Sequence, residues 1–382
     1  MVYLDYSATT PVDPRVLEAM IPYFSASFGN PSSVHRYGQV AEAAIDSARE
    51  TVARVLNCRS DEIVFTSCGS ESDNLALRGA AYAMREKTGA KWILAARVEH
   101  PAVTKTLAHL EKYEGFVIEW LDVNESGAVT AEVVSKAICS NTVMVSVMYA
   151  NNEIGTINPI KGIAAVCRAN NIPFHTDAVQ AAAYLSVDVE ELGVDMMSLG
   201  AHKFYGPKGV GALYVRKGTP LVSQLTGGGQ EFGLRAGTQN VPYIVGFAEA
   251  LRLVNEEREA RAQHARLLRD RIIGTVLEAI PDSRLTGDAA SRLPHHASFV
   301  FKDVDGNLLL TLLDAAGFAC SSGSACKTGN PEPSEVMNAL GFSREWGLGS
   351  LRVTLGKDTQ RQDVEEFLGA LPNLVDQARK LK

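Results

Sequence analysis

Between residues 62 and 200, short apolar runs rich in β-branched side chains alternate with longer amphipathic stretches, and this alternation leaves few architectures open. Glu62-Ile-Val-Phe-Thr-Ser-Cys68 reads as a buried strand, and a helix follows from Gly69 to about Lys87. The rhythm continues as strand 91–96, helix 102–113, strand 116–121, helix 130–138, strand 142–149, helix 159–170, strand 172–177 and a strand from Asp195 to Leu199. Strands that are apolar at nearly every position are covered on both faces, which implies a mostly parallel sheet between layers of helices. In such sheets ligands collect outside the carboxyl ends of the strands. The polar punctuation falls there, at Glu99-His100-Pro101, Ala150-Asn-Asn-Glu-Ile-Gly155, Asp177 to Gln180 and His202-Lys203.

At 382 residues the chain has room for a second domain. A helical tract from Val241 to Ala279, broken or bent within, leads to a strand at His295 to Phe301, a helix at Asn307 to Ala316, a strand at Leu351 to Leu355 and a helix over 360–379. The expected division is an α/β large domain over 16–255, and a smaller α/β domain made of 1–15 and 256–382. With 46% apolar and 21% charged residues the composition is that of a soluble globular protein. A net charge of -7 gives no electrostatic reason to expect direct nucleic-acid binding or an anionic membrane surface. No apolar run approaches the roughly 20 residues that span a bilayer. Met1-Val-Tyr-Leu-Asp-Tyr6 does not read as a signal peptide, so a cytoplasmic location is expected.

The chemistry starts from Asp177, at the end of one strand, and Lys203, which follows the next strand and precedes the glycine-rich Phe204-Tyr-Gly-Pro-Lys-Gly209. A lysine amine and a buried carboxylate suit pyridoxal phosphate: the amine bonds the cofactor aldehyde and the carboxylate keeps the pyridine nitrogen protonated. Upstream, Gly69-Ser-Glu-Ser-Asp-Asn74 carries a strand into a helix, the form of a phosphate cradle. The same serines could equally cap that helix. The six cysteines form no CxxC pair or zinc-ligand spacing, so most are expected to be small core residues and no metal site is expected. His295-His296 lacks a neighbouring carboxylate or cysteine and reads as the start of a strand. Cys326 differs. It sits beside Lys327 in the Gly- and Pro-rich stretch Ser321 to Ser334, the setting of a nucleophilic thiolate, whereas Cys320 follows the strand-like Gly317-Phe-Ala.

Motifs in a fixed order carry a family resemblance: Leu-Asp-Tyr-Ser-Ala-Thr-Thr-Pro, Phe-Gly-Asn-Pro-Ser-Ser-Val-His, Glu-Ser-Asp-Asn-Leu-Ala, Glu-His-Pro-Ala-Val, Asn-Asn-Glu-Ile-Gly, His-Thr-Asp-Ala-Val-Gln, His-Lys-Phe-Tyr-Gly-Pro-Lys-Gly and Ser-Ser-Gly-Ser-Ala-Cys. The chain resembles, nearly end to end, the cysteine desulfurases of the NifS/IscS type, fold-type I pyridoxal phosphate enzymes of the class V aminotransferase superfamily. The resemblance implies that L-cysteine is converted to L-alanine. The sulfur would pass as a persulfide on Cys326 to an acceptor protein in iron–sulfur cluster assembly, tRNA thiolation or DNA phosphorothioation. It makes Lys203 the Schiff-base lysine, Asp177 the pyridine-nitrogen partner, Gln180 the contact to the phenolic oxygen and His100 the ring-stacking general acid and base. Gly69, Ser70 and His202 would hold the phosphate, Asn151 would lie between cofactor and substrate, and Arg352 would clamp the substrate carboxylate. The resemblance further implies a homodimer in which Thr238 reaches the phosphate in the neighbouring subunit.

The sequence departs from the family pattern in three places. Cys68-Gly-Ser-Glu71 replaces the usual Gly-Ala-Thr-Glu, Gly200 stands in the cofactor-binding set where a serine is common, and Phe232 replaces an arginine. Loss of the serine hydroxyl implies weaker cofactor retention, which Gly200→Ser would restore. An aminotransferase or selenocysteine lyase on the same fold, or a scaffold that has lost catalysis, are the competing classes. The first has no need of the Cys326 loop, and retention of Lys203, Asp177, His100 and Cys326 together speaks against the second.

Overall fold

A computed structural model describes residues 1–323 and 332–381. Strand β1 (Val2–Tyr3) is followed by helices α1 (Pro14–Met20), α2 (Pro22–Ser25) and α3 (Arg36–Leu56). The alternating region runs β2 (Ile63–Thr66), α4 (Gly69–Thr88), β3 (Trp92–Ala96), α5 (Pro101–Glu114), β4 (Val117–Leu121), α6 (Ala131–Ala137), β5 (Thr142–Ser146), α7 (Ile160–Ala169), β6 (Phe174–Asp177), α8 (Val189–Leu192), β7 (Met196–Gly200) and β8 (Gly211–Val215). Helices α9 (Val241–Glu256) and α10 (Arg258–Ala279), separated at Glu257, lead to β9 (Ser283–Leu285), β10 (His296–Phe301), α11 (Gly306–Ala315), β11 (Phe318–Ala319), α12 (Glu335–Ala339), α13 (Arg344–Gly347), β12 (Ser350–Thr354) and α14 (Arg361–Lys380). Every residue of β5 to β8 is buried, as the apolar runs require. Helix boundaries follow local chemistry. Pro101 occupies the first turn of α5 behind the capping His100, and left-handed Gly89 and Gly115 end α4 and α5.

The large sheet has the order β2-β8-β7-β6-β5-β3-β4. Only β8 is antiparallel to its neighbours, so the remaining strands share one direction and their carboxyl ends share one edge. One face packs against α1, α3, α7 and α9 through residues such as Val16, Val52, Ile163 and Phe247, and the other against α4 and α5 through Leu77, Ala80 and Leu107. Truncating one of these buried aliphatic side chains to alanine costs about 2–5 kcal/mol. This three-layer arrangement is the expected one, and it faces the strand ends toward a second body of structure.

That body has its own core. Leu4, Ile272, Phe299, Leu309, Val353, Phe367 and Leu371 cluster around the antiparallel sheet β12-β10-β9. The first residues are sewn into it: β1 pairs in parallel with β11, and Thr354 N donates to the Leu4 carbonyl at 2.8 Å. This pairing holds residues 5–8 over the edge of the large sheet. His295 and His296 are buried where β10 begins, His295 stacking on Tyr184 with ring centres 4.2 Å apart. No helix among the described residues is long and apolar enough to cross a membrane.

Candidate active site

A cavity of about 310 Å³ opens at the shared strand edge and gathers Gly69, Ser70, His100, Asp177, Gln180, His202, Lys203 and Arg352. A larger one, about 710 Å³, lies around Arg49, Glu231 and Phe232 and holds none of these groups. Most of these groups come from the carboxyl ends of the large-sheet strands, and Arg352 comes from within β12. β2 delivers Gly69 and Ser70, β3 delivers His100, β6 ends on Asp177, and β7 is followed by His202 and Lys203.

Asp177 is 6% exposed, and its Oδ1 accepts from Val179 N at 2.9 Å. Burial raises its pKa, opposed by His100 and Lys203, so the carboxylate gains from a cation placed against it. Lys203 Nζ donates to the carbonyls of Ser7 and, at 2.8 Å, of Ala8. Burial lowers its amine to about 8, and the charge of Arg352 adds to that shift while Asp5 and Asp177 oppose it. An amine so placed is neutral often enough near pH 8 to act as a nucleophile or base. His100 Nδ1 accepts from Ala102 N at 3.1 Å, which puts the proton of the neutral ring on Nε2. Burial holds His100 below the usual histidine range and lowers His202 to about 4, so both rings are neutral at pH 7. Gln180 Nε2 donates to the Ser7 carbonyl at 2.9 Å.

The phosphate-cradle reading and the capping reading of Ser70 part here. Helix α4 takes Cys68 as N-cap with no side-chain cap bond, and Ser72, not Ser70, returns its hydroxyl to the Cys68 carbonyl at 3.3 Å. The first backbone bond of the helix comes from Ser72 N, so the amides of Gly69, Ser70 and Glu71 precede the intrahelical ladder. The turn is also bare. A Cβ on Gly69 would meet Val179 Cγ2 at 2.6 Å, and one on Gly200 would lie 3.3 Å from Gly69 N. Helix-terminal amides, a hydroxyl and an imidazole at one end, a buried carboxylate at the other and an amine between them form the donor set that pyridoxal phosphate requires.

Among the described residues, the expected site residues Asn151, Thr238 and Gly200 do not line this cavity. Asn151 does not line it: the side chain is 1% exposed, donates to the Val98 carbonyl at 2.8 Å and accepts from Glu153 N and Ile154 N, so it builds the loop. Its neighbour Asn152 lines the cavity instead. Thr238 is exposed on the 227–240 segment, beside a separate cavity that includes Ser67 and Arg235. Cys326 lies outside the described residues. Its competitor Cys320 is half-buried, the protein packed around its thiol pushes the pKa far up, and burial likewise lifts Cys58 and Cys167 to about 12, so none of the three is a ready thiolate.

The sequence reading assigned no role to Asp5, Ser7 or Ala8, although the motif that contains them was part of the resemblance. Arg352 is tied to Asp5 at 2.8 Å, and the Ser7 and Ala8 carbonyls hold Lys203. Asp73, also unassigned, is 1% exposed at the cavity floor, its Oδ1 3.6 Å from His175 Nε2. Burial first and the neighbouring Asp177 next raise its pKa well above the ordinary value of 3.8, which favours its protonated form.

Comparison with known proteins agrees with this geometry. The family described as Aminotransferase class-V matches residues 2–367. The chain is 44% identical over 382 residues to a cysteine desulfurase IscS of Clostridium botulinum, covering all of this chain and 96% of that one. Among solved structures, a NifS-like protein superposes with a TM-score of 0.91 at 36% identity over 98% of this chain and 99% of that one. The structure titled SspA in complex with cysteine superposes with a TM-score of 0.81 at 38% identity over 93% and 99%.

Proposed function

The chain belongs to the class-V aminotransferase family, among its cysteine desulfurases, and from that premise we propose how its residues convert L-cysteine to L-alanine and retain the sulfur. Pyridoxal phosphate, when bound, supplies an electron sink that weakens the bonds at the amino-acid Cα. The remaining work falls to side chains. The amides that open α4, the Ser70 hydroxyl and neutral His202 hold the phosphate, while Asp177 keeps the ring nitrogen protonated. Arg352 takes the substrate carboxylate, which orients Cα toward Lys203. Once off the Ser7 and Ala8 carbonyls, the Lys203 amine carries the Cα proton. His100, fixed through Nδ1, keeps Nε2 free to exchange protons with the substrate. Cys326 thiolate attacks the substrate sulfur: an S–S bond forms, the C–S bond breaks, and the electron pair left on carbon takes a proton to give alanine.

The observation that carries this reading is the convergence of Lys203, Asp177, the α4 amides and Arg352 in one cavity of about 310 Å³. The related structure titled with bound cysteine supports the choice of substrate. A protein acceptor then collects the persulfide. A homodimer fits the exposed apolar row Ile21, Phe24, Phe28, Val34 and Tyr37, in which Val34 is 91% exposed. It also fits the position of Thr238 away from its own chain's cavity. A 16–255 large domain and a small domain of 1–15 and 256–382 fit the second core built from Leu4 and residues 268–378, while Leu293, Val336, Met337 and Trp346 pack into the large-sheet core and tie the two together. The free thiols of the described cysteines fit a reducing, cytoplasmic setting.

Alanine and protein-bound persulfide, measured after mixing the holoenzyme with L-cysteine, test the assignment. Cys326→Ala is expected to keep the cofactor's visible band and to lose persulfide and alanine formation together. Undiminished alanine formation by that variant would instead indicate a transaminase or lyase that does not use the loop.

A further inference from the structure

The guanidinium of Arg352 is already engaged on two sides. Nη2 donates to Asp5 Oδ1 at 2.8 Å and Nη1 to the Asn152 carbonyl at 3.0 Å, while Nε is buried without a hydrogen-bond partner. Asp5 is held in turn, since its Oδ2 accepts from Ser321 Oγ at 2.8 Å. Ser321 and Arg352 also exchange backbone bonds, Arg352 N to the Ser321 carbonyl at 2.7 Å and Ser321 N to the Arg352 carbonyl at 3.3 Å. One carboxylate therefore grips the side chains of two residues whose backbones are already paired.

We propose that Asp5 is a positioning residue for substrate recognition, fixing the Arg352 guanidinium so that Nε–H and the remaining Nη hydrogens meet the carboxylate of the incoming amino acid. Arginine has five N–H donors in a planar fork, and a free side chain spreads them over many rotamers. Pinning two of the donors to Asp5 and Asn152 leaves one orientation, and the buried, unpartnered Nε is the donor still to be satisfied. The Asn152 contact is main chain, which leaves Asp5 as the side chain that sets the aim. The proposal rests on the reading of Arg352 as the carboxylate site.

L-Alanine and ethylamine differ by the carboxylate alone, so the ratio of their affinities for the holoenzyme reads that contact directly. Both can be titrated through the change in the cofactor's visible absorption, without turnover. Asp5→Ala is expected to lower the alanine-to-ethylamine preference about tenfold, the loss of one charge-assisted contact, with ethylamine affinity unchanged. Asp5→Asn is expected to keep at least the wild-type preference, because its carbonyl still accepts from Nη2 and its amide can donate to Ser321 Oγ. Ser321→Ala is expected to fall between them, and with Asp5→Asn it carries the test if Asp5→Ala does not fold. Equal weakening of both ligands in Asp5→Ala, or an Asp5→Asn as impaired as Asp5→Ala, overturns positioning by Asp5. Arg352→Gln separates the two levels. An unchanged preference in that variant removes the carboxylate site itself, whereas a collapse there beside a wild-type Asp5→Ala removes the Asp5 proposal alone.

Discussion

Glu153 shows how much one carboxyl can be displaced by its surroundings. Its Oε2 is buried without a hydrogen-bond partner although the residue as a whole is half-buried, and it would lie 2.4 Å from a Cβ placed on Gly323. Burial raises its pKa to about 7 against the pull of Ser334 and Arg352, with Glu335 pushing the same way as burial. The folded chain then keeps a proton that the unfolded chain releases near the ordinary glutamate value of 4.5. Folding binds that proton across the interval, so wild-type stability declines as pH rises from about 4.5 to about 7. Glu153→Gln removes the titration. Its stability is therefore expected to gain on wild type by roughly 1–3 kcal/mol between pH 5 and pH 8, read from denaturant midpoints of both proteins. A gap that does not change with pH would place the titrating proton elsewhere.

At the scale of elements, the cofactor end of the site is a contact between the α4 turn and the ends of β7 and β8. A Cβ on Gly211 would lie 2.6 Å from the Cys68 carbonyl carbon, so only glycine lets β8 pass beneath the turn. Gly200 is less confined. An added Cβ would lie 3.3 Å from Gly69 N and 3.5 Å from Val179 Cγ1, a crowding that a shift of a few tenths of an ångström relieves. Gly200→Ala isolates that crowding, and Gly200→Ser adds the hydroxyl to it. The serine variant is expected to bind pyridoxal phosphate several-fold tighter than the alanine variant, a difference of about 1 kcal/mol. Equal dissociation constants for the two would leave the hydroxyl with no role. The elements themselves were largely legible, because fully buried strands and amphipathic helices write their periods into the chain. β8 is absent from the expected strands: Gly211-Ala-Leu-Tyr-Val215 is a run of five residues directly behind the Gly206-Pro-Lys-Gly209 turn, too short to show a period. Asn151 rested on the family resemblance alone, and a loop has no period to say which of two adjacent side chains, Asn151 or Asn152, faces a ligand. Asp5 was invisible as a partner of Arg352, since nothing local connects residues 347 apart.

For the whole molecule, the exposed apolar side chains between Ile21 and Tyr37 and the exposed Thr238 carry the dimer proposal. Val34→Asp combined with Tyr37→Ser is expected to convert the sedimenting species from dimer to monomer. If Thr238 serves the neighbouring subunit, the same variant also loses cofactor on dilution, whereas Thr238→Ala loses cofactor while remaining dimeric. A dissociated variant that retains cofactor as well as wild type would remove Thr238 from the site.

The stitching of the first residues into the second core sets an order of events during synthesis. Ser7, whose carbonyl receives Lys203, donates its amide to Thr354 Oγ1, a partner 347 positions later. At the usual ~5–20 residues per second, the ribosome takes roughly 17–70 s to reach that partner after Ser7 has been made. The large sheet can form within that interval, but residues 5–8 cannot yet be held over its edge. A nascent chain therefore carries a pocket whose Ser7 and Ala8 wall stays unanchored until residue 354 has been made.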